Sequence, residues 1–163
     1  MKSDKPTFYC DIDSTVNDHY NRILRNTING RCNFDKANTR EEILKDKVLP
    51  LAKESLNILS EKYKIVFLTA RAYTNARNIT EEWLRVNNFK YDDLIVVNRS
   101  IDKIKYLTEK NIVFLDDLSK KHETHPPYTI LYQDTIKELD RLNINYILFK
   151  GDWKEVMKRL GYE

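Results

Sequence analysis

The sequence predicts an α/β fold, a three-layer open sheet of parallel strands with a small insertion after the first strand. Short apolar runs, most of them ending in a polar or acidic residue, alternate along the 163 residues with longer segments of helical spacing. Such alternation favours parallel βαβ units with right-handed crossovers. Gly and Pro are few and scattered, and no linker is recognisable, so residues 1–163 are predicted to form one domain.

Each predicted element has its own justification in the sequence. The apolar runs predict strands at residues 7–10, 64–68, 94–97, 112–115, 128–132 and 146–149. Between the strands apolar residues recur at helical spacing, as Ile79, Trp83 and Leu84 do. This spacing predicts helices at residues 50–61, 75–86, 101–109, 135–142 and 153–160.

Residues 16–47 break the alternation, because this segment is polar and rich in arginine. A loop of that length inside a compact domain is usually functional or disordered. Because it follows the first strand, we expect it to lie over the carboxyl end of the sheet, where ligands bind in such folds. We predict a small cap here, with His19, Tyr20 and Arg22 as substrate-contact candidates on position alone.

The sequence argues against a disulfide-stabilised protein and against a membrane protein. The two cysteines, Cys10 and Cys32, cannot form a disulfide framework, and the net charge of +3 permits an anionic substrate without requiring one. Residues 1–5 are polar, and no apolar run approaches the roughly 18 residues of a membrane span. We therefore expect a cytoplasmic protein without membrane association. Its oligomeric state is left open.

Acidic residues follow two of the predicted strands. Asp11 and Asp13 come after the first strand, and Asp116 and Asp117 come after the run at 112–115. Carboxylates at one sheet edge repel each other unless a cation or a shared proton neutralises them. Oxygen ligands in small number suit Mg²⁺, so the sequence predicts a magnesium site.

A hydroxyl and a cation complete the candidate site. Thr69 ends the run at 64–68, and Lys103 stands near the start of the helix predicted at 101–109. With the acids they supply what phosphoryl transfer needs, which is charge neutralisation, positioning and a nucleophile. Lys105 competes for the role of the lysine, but Lys103 is nearer the strand end and the apolar face of the helix. Taken alone, Thr69 also fits a capping residue and Lys103 a solvated lysine.

The four motifs in this order resemble those of the haloacid dehalogenase-like (HAD) superfamily of phosphohydrolases. The matching residues are Asp-x-Asp-x-Thr at 11–15, then Thr69, Lys103, and Asp116 with Asp117. The resemblance implies that Asp11 attacks phosphorus and becomes an aspartyl phosphate, and that Asp13 protonates the leaving oxygen and then activates water. One departure is Ser14, where the family often has glycine.

The resemblance also implies ligands for metal and substrate. Mg²⁺ would be held by Asp11, Asp13 and Asp116, with Asp13 contributing its backbone carbonyl, and Asp117 would support the metal through water or a hydrogen bond. Thr69 would bond a phosphoryl oxygen, and Lys103 would neutralise charge on nucleophile and phosphate. The remaining expected substrate contacts adjoin the motifs and are Thr15, Ala70 and Arg71.

The resemblance narrows the function without naming a substrate. In this superfamily a short cap leaves the cleft open, so the substrate should carry an exposed phosphate end. The chain is similar to small nucleotidases and polynucleotide 3′-phosphatase domains, which favours a phosphomonoesterase acting on a nucleotide or nucleic-acid end. The alternatives are a phosphatase of small metabolites, such as sugar phosphates, and a phospho-ligand binding domain without turnover. Nucleic-acid binding without chemistry is disfavoured, because the sequence has no basic stripe with interleaved aromatic residues.

Overall fold

The computed structural model describes residues 4–120 and 130–162, except for the side chain of residue 120. The strands, in chain order, are β1 (Thr7–Cys10), β2 (Thr27–Ile28), β3 (Arg31–Cys32), β4 (Lys64–Ala70), β5 (Asp93–Val97), β6 (Val113–Asp116), β7 (Ser119–Lys120), β8 (Ile130–Leu131) and β9 (Tyr146–Leu148). The α-helices are α1 (His19–Arg25), α2 (Phe34–Ala37), α3 (Arg40–Ile43), α4 (Ala52–Leu59), α5 (Ala76–Val86), α6 (Gln133–Arg141) and α7 (Trp153–Arg159).

Five of these strands form one parallel sheet in the order β5–β4–β1–β6–β9. Strand β1 lies at the centre, with Phe8 paired to Ile65 of β4 on one side and to Val113 of β6 on the other. Central strands of parallel sheets are buried on both faces, which explains why β1 and β6 are entirely buried. The predicted α/β class with an open parallel sheet is therefore confirmed.

Apolar side chains pack on both faces of the sheet. Phe8 and Cys10 belong to a core shared with residues of α4, α5 and α7, whereas Tyr9 belongs to a second core shared with Leu139 of α6. Because neighbouring residues of a strand point to opposite faces, this division produces three layers. Trp83 of α5 lies in the first core and is fully buried.

Two predicted elements differ from the structure. Of the predicted strand 128–132, residues 130–132 are described, and β8 pairs antiparallel with β7 in a separate two-stranded sheet. Assigning this run to the parallel sheet was wrong, because β9 occupies the place beside β6. The predicted helix 101–109 is instead a 3₁₀ helix, Ser100–Tyr106. Ile101 and Ile104 of this helix, and Leu107 directly after it, recur every three positions, which matches a helix of three residues per turn.

Residues 16–47 are folded rather than a long loop. They contain α1, the β2–β3 hairpin, α2 and α3. Several polar residues of this segment have local roles, since the side chains of Asp18, Asn33 and Thr39 cap the three helices. At the base of the segment the Asp18 amide donates to the Lys47 carbonyl oxygen at 2.8 Å, which ties its two ends together. Within the described parts of the chain, no helix has the length and apolarity needed to cross a membrane.

Candidate active site

The carboxyl ends of three adjacent strands deliver the candidate residues to one place. Asp11 follows β1, and its amide donates to the carbonyl oxygen of Leu115 in β6 at 2.9 Å. Asp116 is the last residue of β6, and Thr69 lies near the end of β4. Because β1 lies between β4 and β6, motifs far apart in sequence become neighbours at this edge.

The carboxylates of Asp11, Asp116 and Asp117 form a buried group, and the Lys103 ammonium contacts two of them. We call these four residues the acidic cluster. Each carboxylate offers an oxygen within 4.8 Å of the others, so the cluster can hold a metal ion. The Lys103 ammonium lies 3.0 Å from Asp11 Oδ1 and 2.5 Å from Asp116 Oδ2. The structure thus places Lys103 beside the acids, whereas Lys105 is exposed and lies over the ring of Tyr106.

The acidic cluster is short of positive charge. Burial, and then the neighbouring Asp116 carboxylate, raise the pKa of Asp11 well above its ordinary value. The same causes raise the pKa of Asp117 to about 6. Burial alone would lower the pKa of Lys103, but Asp11 and Asp116 reverse this effect and raise it. With every group ionised, three carboxylates face one ammonium, so two negative charges remain for a cation to balance.

Asp13 lies outside this group, among arginines. We call Asp13, Arg22, Arg71 and Asp46 the arginine cluster. The guanidinium of Arg71 donates from Nε to Asp13 Oδ2 at 3.1 Å and from Nη2 to Asp13 Oδ1 at 2.7 Å, and Nη2 of Arg22 lies 3.5 Å from Asp13 Oδ1. Burial alone would raise the pKa of Asp13, but Arg71, with His19 and Arg22, holds it well below its ordinary value.

The other predicted residues occupy distinct places. The Thr15 hydroxyl is fully buried and lies 3.3 Å from both Asp11 Oδ2 and Asp117 Oδ1, between two carboxylates. Thr69 is also fully buried, and its hydroxyl has no hydrogen-bond partner among the described residues. Ala70 lines the cavity that opens on Asp11. The carboxylate of Asp13 is not one of the three that together could hold a metal ion.

A cavity of about 410 Å³ joins both clusters and reaches the 16–47 segment. Its walls include His19, Arg22, Phe34 and Asn38 from that segment, whereas Tyr20 does not line it. Phe34 and Asn38 were not predicted as site residues, because one aromatic and one amide in a polar segment carry no distinguishing spacing. The segment therefore forms part of the wall of the site.

Two further buried residues were also missed. Asn17 Nδ2 donates to Asp13 Oδ1 at 3.1 Å and to Asp46 Oδ2 at 2.9 Å. An isolated Asp46 in a charged segment is typical of a solvated acid, so no sequence signal identified it. For Asn17 the available clue was its position four residues after Asp13, the residue to which it donates.

Comparisons with known proteins agree with this picture of the fold. No family model matches the chain. Over 87 residues the chain is 33% identical to Putative nucleotidase YqfW of Bacillus subtilis (strain 168), a match that covers 52% of this chain and 44% of that protein. A hydrolase, haloacid dehalogenase-like family protein SP0104 from Streptococcus pneumoniae, is similar in structure, with a TM-score of 0.60 and 12% identity over 96% of this chain and 98% of that one.

A third similarity is to a chain in the structure of the Pnkp1/Rnl/Hen1 complex. The TM-score is 0.58 with 18% identity, over 93% of this chain and 49% of that one. The protein thus spans less than half of Putative nucleotidase YqfW and about half of the chain in the Pnkp1/Rnl/Hen1 complex. The resemblance that the four sequence motifs indicated is confirmed by the architecture: this chain has the fold of the haloacid dehalogenase-like hydrolases.

Proposed function

We propose that this protein is a Mg²⁺-dependent phosphomonoesterase that works through an aspartyl phosphate, with a nucleotide or a nucleic-acid end as substrate. The observation that carries the proposal is the convergence of Asp11, Asp116, Asp117 and Lys103 at the carboxyl edge of the sheet. Neighbouring acids in a buried place destabilise a fold unless a cation or a shared proton compensates their charge. Metal binding together with nucleophilic attack explains all four side chains.

The donor set of the acidic cluster fits Mg²⁺. Three carboxylates provide hard oxygen ligands, and the two uncompensated negative charges match one divalent cation. Asp11, Asp116 and Asp117 would hold the ion, and the family resemblance adds the backbone carbonyl of Asp13. When bound, the ion would supply electrostatic stabilisation of negative charge on the phosphoryl group.

The residues of this chain then divide the reaction between them. A carboxylate oxygen of Asp11 forms a bond to phosphorus while the bond between phosphorus and the leaving oxygen breaks. Lys103, charged because of its two carboxylate partners, stabilises both nucleophile and phosphoryl oxygens. The buried Thr69 hydroxyl, which lacks a partner among the described residues, would donate to a phosphoryl oxygen.

Asp13 would move the protons. In the substrate-free protein Arg71 holds it ionised, but a phosphate dianion arriving nearby would offset the guanidinium charge and raise the pKa of Asp13. Protonated Asp13 can then donate to the leaving oxygen, and as a carboxylate it can accept a proton from the water that hydrolyses the aspartyl phosphate. Arg71, predicted as a substrate contact, would act on substrate and Asp13 together.

The choice of substrate rests on the cavity and on the relatives. We propose that the 16–47 segment is a small cap within a single domain spanning 1–163. It contributes Phe34 to the wall of the cavity, and 42% of this residue is exposed. An exposed aromatic beside the phosphate site suits a nucleobase better than a sugar. One similar protein is named Putative nucleotidase YqfW, and another similar chain occurs in the Pnkp1/Rnl/Hen1 RNA repair complex. A phosphatase of small metabolites is the second candidate function. The cytoplasmic location of the protein stays a prediction.

Phosphate release with Mg²⁺ tests the proposal. We would assay nucleoside monophosphates, 3′-phosphorylated oligonucleotides and sugar phosphates with wild type, Asp11→Asn and, as a matched control, Asp35→Asn, whose carboxylate is exposed. We expect a nucleotide or oligonucleotide to be preferred and Asp11→Asn to lose at least about a thousandfold in turnover. Its stability should be unchanged or slightly higher, because charge repulsion is relieved.

Two outcomes of this assay would contradict the proposal. A preference for sugar phosphates would overturn the choice of substrate. Turnover retained by Asp11→Asn would remove Asp11 as the nucleophile.

A further inference from the structure

Asp46 is a buried carboxylate that the proposed chemistry does not use. It lies at the end of the 16–47 segment, and only 5% of the residue is exposed. Its backbone oxygen accepts a hydrogen bond from Trp83 Nε1 at 3.0 Å, which fixes this position against α5. Burying a carboxylate is costly unless other groups compensate it, so its contacts indicate what it does.

The contacts of Asp46 lead to Asp13 by two routes. The first is Asn17, whose Nδ2 donates to Asp46 Oδ2 at 2.9 Å and to Asp13 Oδ1 at 3.1 Å. The second is Arg22, whose Nε lies 3.6 Å from Asp46 Oδ1 and whose Nη2 lies 3.5 Å from Asp13 Oδ1. Asp46 thus contacts two of the side chains that approach the proposed proton donor.

The orientation of Asn17 depends on both of its acceptors. One amide NH₂ group serves two carboxylates, and the amide oxygen accepts from the backbone N–H of Ser14 at 2.9 Å. With an amide at position 46, Asn17 Nδ2 would meet at best one neutral oxygen in place of a charged carboxylate, so this buried hydrogen bond would weaken. Asn17 could then reorient, and Asp13 would lose a contact that helps to set its rotamer.

Charge balance links Arg22 to the same arrangement. With every group ionised, the two guanidinium groups of Arg22 and Arg71 face the two carboxylates of Asp13 and Asp46. Arg22 is 1% exposed, so water does little to screen it. Removing the charge of Asp46 would turn Arg22 towards Asp13 alone and shift both side chains.

We propose that Asp46 is a positioning residue, which acts through Asn17 and Arg22 to hold Asp13 where its proton can pass to the leaving oxygen. Asp46 does not line the cavity on which Asp13 opens, so a direct contact with substrate is not part of the proposal. The inference rests on the proposed function, because it assigns a role relative to the proton donor of that reaction.

Leaving-group dependence tests the inference. An alcohol such as the ribose oxygen of a nucleotide must be protonated as it leaves, whereas p-nitrophenolate leaves readily without a proton. We would measure kcat/KM, which reports the steps up to release of the leaving group, for the preferred nucleotide and for p-nitrophenyl phosphate. Asp46→Asn should lose about 10- to 100-fold on the nucleotide and less than about threefold on p-nitrophenyl phosphate.

A matched control separates this role from general damage to the segment. Glu42 is also a buried carboxylate of the 16–47 segment, but it pairs with Arg25 at 2.8 Å and has no described contact with Asp13. Glu42→Gln should change kcat/KM for both substrates by the same small factor. Asn17→Ala, which removes the amide and leaves Asp46 in place, should show the same selective loss as Asp46→Asn and serves if Asp46→Asn does not fold.

The outcomes are distinguishable. Equal losses on the two substrates, or no loss, in Asp46→Asn would overturn the positioning role while leaving the phosphatase proposal intact. The same result in Asn17→Ala would overturn it if Asp46→Asn is unfolded. A wild-type protein that hydrolyses neither substrate would instead overturn the proposed function, and the positioning role with it.

Discussion

The acidic cluster and the arginine cluster begin two residues apart in sequence, yet the pKa values of their first acids, Asp11 and Asp13, shift in opposite directions. Burial and Asp116 raise the pKa of Asp11, whereas Arg71 outweighs burial and lowers the pKa of Asp13. The acidic cluster has two uncompensated negative charges when ionised, and the arginine cluster is balanced. The comparison teaches that the Asp-x-Asp motif supplies two different acids, one that needs a cation and one that already has it.

The backbone explains how neighbouring acids reach such different surroundings. Asp11 still belongs to the hydrogen-bonded edge of the sheet, but the chain turns directly after it, with the amides of Thr15 and Val16 donating to the carbonyl oxygen of Ile12. Asp13 therefore points towards β4, where Arg71 follows the strand. Residues i and i+2 of a continuing strand would have shared one face, so the turn creates the two environments.

The largest effect expected within this comparison comes from removing the Lys103 ammonium from the acidic cluster. Lys103→Met should lower turnover by about 100- to 1000-fold and destabilise the fold at neutral pH, because two carboxylates lose their buried partner. Lys105→Met is the control, since Lys105 is exposed, and its turnover should stay within twofold of wild type. Steady-state kinetics and chemical denaturation measure both effects, and similar behaviour of the two variants would contradict the assignment of Lys103.

Asp117 and Asp13 should respond differently to pH, and the two clusters should respond differently to metal. The folded-state pKa of Asp117, about 6, exceeds its ordinary value of 3.8, so its stabilising contribution is complete below pH 3.8 and is lost as pH rises through 6. Asp11 shifts in the same direction. Asp13 shifts oppositely, so its contribution is already complete above its ordinary pKa and does not change between pH 5 and 7.5.

Thermal unfolding in EDTA and in Mg²⁺, at pH 5 and 7.5, checks this difference. At a Mg²⁺ concentration of about 100 Kd we expect a rise in Tm of about 5–10 °C at pH 7.5 and a smaller rise at pH 5, where protons compete for the carboxylates. Asp117→Asn should reduce the rise. Asp46, whose pKa is raised to about 7, is a buried acid outside the metal group, so Asp46→Asn should keep the full response. A rise of wild-type size in Asp117→Asn would contradict the metal site.

The acidic cluster is the part of the site that sequence could predict, and the reason is topological. Asp11 directly follows β1, Asp116 ends β6 and Asp117 comes next, and parallel strands end at one edge of the sheet. The run at 128–132 shows the limit of that reasoning, because its residue types indicate a strand but not which strand it pairs with. Strand β8 accordingly pairs with β7, outside the parallel sheet.

The arginine cluster could not be assembled in the same way. Arg71 was recognised as a residue at a strand end, but its bidentate contact with Asp13 joins side chains 58 positions apart. Arg22 and Asp46 come from a segment whose polar residues also serve as helix caps, so charge alone did not separate buried from solvated side chains. Burial of these groups depends on tertiary packing, as the contact between Trp83 and the Asp46 backbone shows.

The smallest expected effect concerns Ser14, in the turn that separates the two clusters. Ser14 has φ of 65°, a left-handed conformation that costs an L-residue roughly 1–2 kcal/mol. Ser14→Gly removes this cost but adds about 0.5–1 kcal/mol of unfolded-chain entropy. The variant should therefore be more stable by up to about 1.5 kcal/mol, whereas Ser14→Ala keeps the Cβ atom and should gain nothing. Denaturation midpoints measure this difference.

Turnover should stay unchanged in both Ser14 variants, because the backbone N–H of residue 14 still donates to Asn17 Oδ1. A loss of turnover confined to Ser14→Gly would instead indicate that a stiff turn is needed to keep Asp11 and Asp13 in their opposite environments.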